Sequence, residues 1–388
     1  MTPEDLSASR RPRGRREADK SEHDYDVVVV GSGFGGSVTA YRMAEAGRSV
    51  VLLERGRAYP PGSFPRTPKG MGQNFWDPTQ GRHGLFQMWS FEGLDGLVSS
   101  GLGGGSLIYA NVLLRKDEKW FVHDEALPNG GYEHWPIGRS DLEEHYDAVE
   151  QMIGAARYPY LDTPKTAAMR EAAENGGLDL LMPPLAISFS RRPGEAPVRM
   201  GEIPEPDYGN LHGLPRATCV GCGECDLGCN FGAKNTLDHT YLSAAAHRGA
   251  DIRVRHEVKG FRPLGADEGG GYEVTYVVHT GADGEPTTDP TVQTIRCERL
   301  VLAAGTFGSS YLLLRNRAAL PGQSAALGTR FCGNGDLLGF VMNAAREGLG
   351  RDLAANNGPV ITSAIRVGDE VDGAGKGEGR GHYIEDAG

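Results

Sequence analysis

The sequence predicts an α/β protein whose larger domain is built on a parallel sheet and whose second domain contains a further sheet. Three observations lead to this fold class. A strand, a glycine turn, a helix and a second strand follow one another over Tyr25–Gly56. Another glycine cluster, Gly101–Gly105, precedes an apolar stretch. The length of 388 residues exceeds the roughly 250–300 residues at which single cores stop growing.

Composition and charge narrow the class of protein. Hydrophobic residues at 39% and charged residues at 23% are typical of a globular chain, and the net charge of −11 argues against general nucleic-acid binding. Residues 1–23 are rich in arginine and predict a disordered tail, because no apolar run follows as an export signal requires. No stretch of about 18 apolar residues occurs, so no transmembrane segment is expected. We therefore expect a soluble cytoplasmic protein.

The first glycine turn has the flanking elements of a nucleotide-binding βαβ unit. Asp26–Val30 predicts a buried strand, Ser37–Ala46 a helix that ends at Gly47, and Ser49–Leu53 the second strand. A chance glycine turn would not bring all of these elements in this order. The stretch therefore predicts a Rossmann-like parallel sheet.

Each glycine of this turn has a physical role. Gly31, Gly33 and Gly36 give the spacing G-x-G-x-x-G. The first permits a sharp turn, the second leaves room for a pyrophosphate, and the third lets helix and strand pack closely. Glu54 closes the second strand, where a carboxylate accepts hydrogen bonds from ribose hydroxyls and disfavours a 2′-phosphate. NADP is thus disfavoured, and both FAD and NAD remain.

The second glycine cluster, Gly101–Gly105, follows a long passage rich in proline, glycine and aromatic residues, Arg57–Trp89. A loop of that length predicts a functional element such as a lid or a dimer arm. The stretch after the cluster, Ser106–Arg115, is apolar and β-prone. Successive glycines let backbone N–H groups approach a flat or anionic ligand without interference from Cβ atoms.

These stretches together resemble the glucose–methanol–choline (GMC) oxidoreductases, nearest to the cholesterol oxidase-like branch. The resemblance runs in order from about Tyr25 to Phe340 and includes Ala250–Phe261, Arg299–Asn316 and Gly328–Phe340. It implies that the first turn binds the ADP half of FAD and the second cluster binds the flavin half. The cofactor-binding residues that it implies are Gly31, Gly33, Phe34, Gly35, Gly36, Glu54, Arg55, Gly101, Gly103, Gly104, Gly105, Ser106, Asn111, Val258, Ala303, Ala304, Gly305, Asn334, Gly335 and Asp336.

A cysteine-rich loop has the ferredoxin spacing C-x2-C-x2-C-x3-C. Its members are Cys219, Cys222, Cys225 and Cys229. In two-cluster ferredoxins the fourth cysteine of such a run binds the other cluster, so a single cluster would need a remote thiol, and Cys297 and Cys332 are the remaining cysteines. An iron–sulfur cluster, a zinc ion and a metal-free thiol-rich loop all remain open.

No residue is assigned as the catalytic base. The resemblance implies a histidine, paired with a second histidine or an asparagine, near the C-terminus of the family's chains. None of the eleven histidines has that context; His83 is expected at the surface or in a dimer arm, and His239 in a structural role. Residues after about Asn343 resemble the start of the family's substrate-domain sheet. We therefore expect a truncated chain.

The resemblance implies two discontinuous domains, an FAD-binding domain (24–155 and 216–343) and an incomplete substrate domain (156–215 and 344–388). It also implies oxidation of a small-molecule alcohol, a sterol or other bulky alcohol, to the carbonyl, with hydride passing to flavin N5 and then to oxygen or another acceptor. Three alternatives remain: a flavin dehydrogenase that passes electrons through an iron–sulfur cluster in the cysteine loop, a catalytically incomplete FAD-binding remnant, and a nicotinamide dehydrogenase.

Overall fold

The structure is a computed structural model that describes residues 23–118, 121, 135–281, 284–329, 331–339, 354, 356–368 and 381–387. The chain forms two compact units. The first comprises Met1–Ile108, Glu205–Leu214 and Thr236–Arg351, and the second comprises Tyr109–Pro204, Pro215–Asn235 and Asp352–Gly388. This grouping differs from the predicted domain division, and the cofactor and substrate roles of the two units stay predictions. The predicted tail lies outside the described residues except for His23.

Helices occur in both units. They are α1 (Phe34–Glu45), α2 (Pro68–Gln73), α3 (Arg139–Ile153), α4 (Pro164–Gly176), α5 (Tyr241–His247) and α6 (Gly305–Arg315). No described helix has the length and apolar character of a membrane span. The predicted cytoplasmic location stays a prediction.

The strands are mostly short and form several small sheets beside one large sheet. In chain order they are β1 (Tyr25–Val30), β2 (Val50–Leu53), β3 (Trp76–Asp77), β4 (Arg82–His83), β5 (Phe86–Phe91), β6 (Leu94–Ser99), β7 (Ala156–Arg157), β8 (Asp179–Leu181), β9 (Pro184–Leu185), β10 (Glu202–Ile203), β11 (Arg216–Ala217), β12 (Asp251–Arg253), β13 (His256–Pro263), β14 (Tyr272–Thr280), β15 (Pro286–Leu302), β16 (Ala364–Val367) and β17 (His382–Glu385).

The large sheet of the first unit confirms the predicted α/β class. Its strand order is β12-β2-β1-β15-β14-β13. The first four strands are parallel, and β14 and β13 add an antiparallel extension. The apolar runs VVVV of β1 and VVLL of β2 are fully buried, as is usual for parallel strands that are covered on both faces. Small residues of α1, namely Gly36, Ser37, Ala40 and Ala44, are also buried, so the helix packs close to its neighbours.

The long strand β15 joins the two parts of this sheet. Cys297 pairs with Tyr25 of β1 on one side and with Tyr272 of β14 on the other. The apolar core of this sheet includes Val28, Val51 and further side chains from β13, β14 and β15. The predicted sequence of strand, turn and helix over Arg299–Asn316 is confirmed by the end of β15 and by α6.

The second unit has its own sheet and apolar core. Its largest sheet, among the described residues, has the order β17-β16-β8 and is antiparallel. Tyr158, Leu185, Ile187 and Phe189 form a core cluster, and Cys219 and Cys225 pack against it together with other partly buried side chains. The family resemblance had suggested a sheet in this part of the chain.

Two local expectations were wrong. The passage Arg57–Trp89 is not one long loop: it contains α2, β3, β4 and part of β5. Likewise, Ser106–Arg115 forms no strand and contains a single bridge, from Val112 to Leu185. Apolar composition alone does not distinguish a strand from irregular chain that is buried by its neighbours.

Candidate cofactor site

The first glycine turn lies between β1 and α1, where neighbouring backbone leaves no room for side chains. Gly31 has a positive φ of 93°, and a Cβ atom built on it would lie 2.5 Å from the carbonyl oxygen of Ala303. A Cβ atom on Gly36 would lie 2.0 Å from the carbonyl oxygen of Gly31. Both glycines are therefore required by the protein's own packing, whatever the turn binds.

The amino end of α1 is open in a way that suits an anion. Gly33 is its N-cap residue, no side chain caps this end, and the first turn contains no acidic residue. A Cβ atom on Gly33 would meet nothing within 4 Å. Since helix amino ends carry partial positive charge, the space in front of Gly33 fits a pyrophosphate.

Glu54 at the end of β2 holds this turn in place. Its Oε2 atom accepts hydrogen bonds from the Ser32 backbone N–H at 3.0 Å and from the Ser32 hydroxyl at 2.6 Å. Its Oε1 atom accepts one from the Gly56 N–H at 2.8 Å. The carboxylate is thus oriented by the turn. Whether it also binds ribose stays a prediction.

The second glycine cluster contacts the first. The N–H of Gly103 donates to the Ser32 hydroxyl at 3.0 Å, and a Cβ atom on Gly104 would lie 2.7 Å from the Cα atom of Gly33. The Ser106 hydroxyl donates to the Gly103 carbonyl at 2.7 Å and so closes the cluster on itself. The structure therefore brings the two glycine segments together at one place in the first unit.

Several other predicted residues lie near the two glycine segments. Ala303, Ala304 and Gly305 form the turn that faces Gly31. Val258 is buried in β13, while the neighbouring His256 N–H donates to the Glu54 carbonyl at 2.8 Å.

Arg55 lies over the Trp76 ring at 5.3 Å, and burial lowers the pKa of its guanidinium against the opposing effect of Glu54 and Glu257. Phe34 and Gly35 are exposed at the start of α1. Gly101 is buried, and its carbonyl lies 3.4 Å from the Ser32 hydroxyl.

The remaining predicted residues are not part of this group. Asn111 belongs to the second unit, is fully buried and has a positive φ of 73°. Asn334, Gly335 and Asp336 lie in an exposed segment without regular structure, where the Asn334 amide donates to the Asp336 carboxylate at 2.5 Å. Their predicted contacts with the cofactor stay predictions.

The sequence pattern singled out neither Ser32 nor His212 and Asp238 behind the second cluster, and for His239 it predicted only a structural role. Ser32 occupies an unspecified position of G-x-G, so no pattern singled it out. His212, Asp238 and His239 are buried, and their ligand atoms lie within 4.8 Å of one another. Burial alone would raise the pKa of Asp238, but the charge of His239 and the 2.6 Å hydrogen bond with His212 outweigh it, so the pKa is lowered.

His83 is buried, contrary to the expectation of a surface position. It is 7% exposed and lies against Trp76 and His279. Burial, and then the neighbouring His279 and Arg255, lower its pKa to about 4, while Glu257 opposes the shift. His279 bonds Glu257 at 2.7 Å. Trp76 is near in sequence, but His279 of β14 is far away, so the local pattern did not reveal the full burial.

The cysteine loop lies in the second unit. Cys219, Cys222, Cys225 and Cys229 all line one pocket, together with Lys234 and several apolar residues. None of them forms a disulfide. Lys234 is 2% exposed as a residue, and its ammonium donates to the carbonyls of Tyr109 at 2.7 Å and Cys225 at 3.0 Å.

The residues of the first unit fit a dinucleotide such as FAD. The open helix end in front of Gly33 suits the pyrophosphate, and the glycine backbone of the second cluster lies beside it. The acid at the end of β2, Glu54, has the position that the ribose requires in such folds. This fit depends on the open space in front of Gly33 and on backbone N–H donors.

Comparisons with known proteins agree with this fit. Residues 26–192 match the FAD dependent oxidoreductase family. A cholesterol oxidase of Mycobacterium tuberculosis is 34% identical over 345 residues, which cover 88% of this chain and 56% of that protein. A cholesterol oxidase of Acinetobacter baumannii is 31% identical over 352 residues, which cover 89% of this chain and 60% of that protein. A paromamine 6′-oxidase of Streptomyces fradiae is 26% identical over 361 residues, which cover 88% and 60%.

The chain thus spans a little more than half the length of these curated relatives. The match with these relatives extends over most of the chain, and the family match over residues 26–192 includes both glycine segments that the structure brings together. These matches support the predicted resemblance to the glucose–methanol–choline oxidoreductases and to their cholesterol oxidase-like branch.

Proposed function

We propose that the protein oxidises an alcohol CH–OH group to the carbonyl, and that its substrate is a sterol or another bulky alcohol. The observation that carries this proposal is the joining of the two glycine segments through Ser32, which makes one backbone cradle for a dinucleotide. Two relatives with the name cholesterol oxidase, at 34% and 31% identity, support the substrate class.

The residues of the cradle would bind and orient the cofactor. The amino end of α1 and the room in front of Gly33 would hold the pyrophosphate, while Ser32 and Glu54 keep the two turns in register. Bound FAD would supply the hydride acceptor for the alcohol carbon. Removal of the hydroxyl proton requires a base within hydrogen-bond reach, and we assign that role to no described residue. Oxygen, or another electron acceptor, would reoxidise the flavin.

The proposal is tested by flavin reduction without oxygen. Purified protein is mixed anaerobically with cholesterol, with a long-chain primary alcohol and with glucose, and the visible flavin absorption is followed. We expect cholesterol to bleach the flavin faster than glucose, and hydrogen peroxide to form when oxygen is admitted. Flavin that dithionite reduces but no alcohol reduces would contradict the proposal and favour the FAD-binding remnant. A preparation without bound FAD that also takes up none when FAD is added would contradict the cradle itself.

A second candidate function is that of a flavin dehydrogenase that passes electrons through a metal cluster. The observation that favours it is the single pocket lined by all four thiols of the cysteine loop. The same anaerobic experiment separates the two: a dehydrogenase would reduce a dye acceptor rapidly and form little peroxide. A metal-free loop would remove the basis for this candidate.

A further inference from the structure

Two glycines let the backbone of the cysteine loop turn sharply. Gly221 and Gly223 have positive φ values of 78° and 72°, which residues other than glycine rarely adopt. The loop is fastened at one side, since the Gly358 N–H donates to the Gly221 carbonyl at 3.1 Å and Cys222 forms a bridge with Gly358. It is fastened at the other by the Cys219 N–H, which donates to the Ser188 carbonyl at 2.9 Å.

These turns direct four sulfur atoms toward a common space. The pocket is lined by the loop's four cysteines, and its walls include the apolar side chains of Ile187 and Phe231. Each cysteine is partly buried and free of disulfide bonds. Four thiols around one space are a set of ligands that a metal ion or an iron–sulfur cluster can use.

From this geometry we propose that the four cysteines of the loop bind a [4Fe–4S] cluster, with one thiolate on each iron. The site belongs to the second unit alone, so the proposal stands whether or not the first unit oxidises alcohols.

The sulfurs of the loop do not have the close spacing of a formed tetrahedral zinc site. Zinc in a tetrahedral site with Zn–S bonds of about 2.3 Å would hold its sulfurs about 3.8 Å apart. Among the described residues, which include all four cysteines of the loop, no three of their sulfurs lie within 4.8 Å of one another; the set that meets this limit is His212, Asp238 and His239. A four-iron cluster inserts its own iron and sulfide atoms between the thiolates and therefore requires the wider spacing.

The surroundings also suit a group with net negative charge. The buried ammonium of Lys234 bonds the Cys225 carbonyl at 3.0 Å. Backbone N–H groups of Gly221 and Val360 donate to the sulfurs of Cys219 and Cys225. Hydrogen bonds to sulfur and nearby charge are the features by which proteins stabilise iron–sulfur clusters and set their potentials.

The structure also answers the question of the fourth ligand. The ferredoxin comparison suggested a remote thiol, but Cys297 is buried in the sheet core of the first unit and Cys332 is exposed in an irregular segment. Cys229 lines the same pocket as the other three. In the proposed site Cys229 therefore takes the place of a remote thiol, and the loop supplies all four thiolate ligands.

The test is metal analysis of the holoprotein purified without oxygen. We expect about four iron and four acid-labile sulfide atoms per chain, and an electron paramagnetic resonance signal after dithionite reduction. Cys229→Ser and Cys222→Ser should each lower the iron content at least about threefold or convert the cluster to a form with fewer irons. Cys332→Ser is the matched control, since it removes an exposed thiol outside the pocket; its iron content should equal that of the parent.

FAD content and the melting temperature of every variant show whether it has folded. Chains that bind FAD but contain no iron, even after reconstitution with ferrous iron and sulfide, would overturn the proposal. About one zinc per chain would overturn it in favour of a mononuclear site. Full iron and an unchanged signal in Cys229→Ser would exclude Cys229 as the fourth ligand. Iron with no alcohol turnover would leave the cluster standing and contradict only the alcohol oxidation proposed above.

Discussion

The nucleotide turn of the first unit and the cysteine loop of the second are both glycine-rich, yet their glycines serve different ends. In the first, Gly31 and Gly36 are enclosed by backbone at 2.5 Å and 2.0 Å from where a Cβ atom would lie. In the second, Gly221 and Gly223 have positive φ values that let the chain reverse, and Cys222 between them lines the pocket. The nucleotide turn therefore presents mainly backbone atoms, whereas the cysteine loop presents side chains.

This difference decides how each region can be disturbed. A backbone surface is damaged by added atoms, because there is no space for them and because the ligand must approach the main chain. A side-chain surface is damaged by removed atoms, because sulfur and ammonium groups supply the interactions. Added atoms should therefore disturb the nucleotide turn most, and removed atoms the cysteine loop.

Gly36→Ala should have the largest effect. The new Cβ atom would overlap the carbonyl oxygen of Gly31, and overpacking of a buried turn costs about 3 kcal/mol of unfolding free energy. We expect a lower melting temperature and little bound FAD, measured by thermal scanning and by the ratio of flavin to protein absorbance. Gly33→Ala is the control, because its Cβ atom meets nothing within 4 Å.

The control makes the test specific. Gly33→Ala should leave the melting temperature of the FAD-free protein unchanged while weakening FAD binding about tenfold, because the methyl group enters the space assigned to the pyrophosphate. If FAD binds this variant as tightly as the parent, the pyrophosphate does not lie in front of Gly33, and the assigned cradle is wrong.

Lys234→Met should disturb the second unit. It removes the ammonium that bonds the carbonyls of Tyr109 and Cys225, and unpaired buried carbonyls cost about 2–3 kcal/mol in total. Thermal scanning should show this loss, and FAD content should not change. Lys69→Met, at an exposed lysine, is the control and should be neutral. A loss of FAD in the Lys234 variant would show that the two regions are not independent.

Acid should weaken the first unit through His83 and not through its glycine turns. The pKa of His83 is lowered from 6.5 to about 4, so the unfolded chain binds a proton at a higher pH than the folded one. Stability is therefore complete above pH 6.5 and falls as the pH drops toward 4, by about 2 kcal/mol. Denaturant titrations across this pH range should show that the unfolding free energy of His83→Leu falls less steeply with pH than that of the parent. Parallel curves would assign the acid response to other groups.

Ser32→Ala should have the smallest effect. It removes the side chain that links Glu54 to Gly103, although the Ser32 backbone N–H still bonds Glu54. We expect a loss of about 1 kcal/mol and weaker FAD binding, measured by fluorescence titration. Thr39→Ala on α1, whose exposed hydroxyl bonds the Gly35 carbonyl, should leave FAD binding unchanged. An equal effect of both changes would mean that Ser32 acts only through general stability.

The βαβ unit could be predicted because its information is local. Apolar runs predicted β1 and β2 within a residue or so, and the glycine spacing predicted the turn. The helix begins at Phe34, three residues earlier than expected, and so includes Gly35 and Gly36. Propensity alone disfavours glycine there.

What could not be predicted depends on residues distant in sequence. Ser32 and Gly103 are 71 positions apart, and neither G-x-G nor the second cluster indicates that a hydroxyl joins them. The burial of His83 depends on His279, a residue of β14. For Cys229, spacing left two ligand arrangements open, and the arrangement proposed above depends on which thiols line the same pocket.

The double pairing of Cys297 has a consequence for how such chains can change length during evolution. β15 is a single strand of 17 residues that pairs with β14 along one stretch and with β1 along another, and the two stretches meet at Cys297. Insertion of a single residue near Cys297 would therefore reverse which face each following side chain occupies. Insertions beyond the outermost pair, Thr280 and Pro286, leave that alternation intact. Length variation among homologues should therefore accumulate at that outer hairpin and be rare near Cys297.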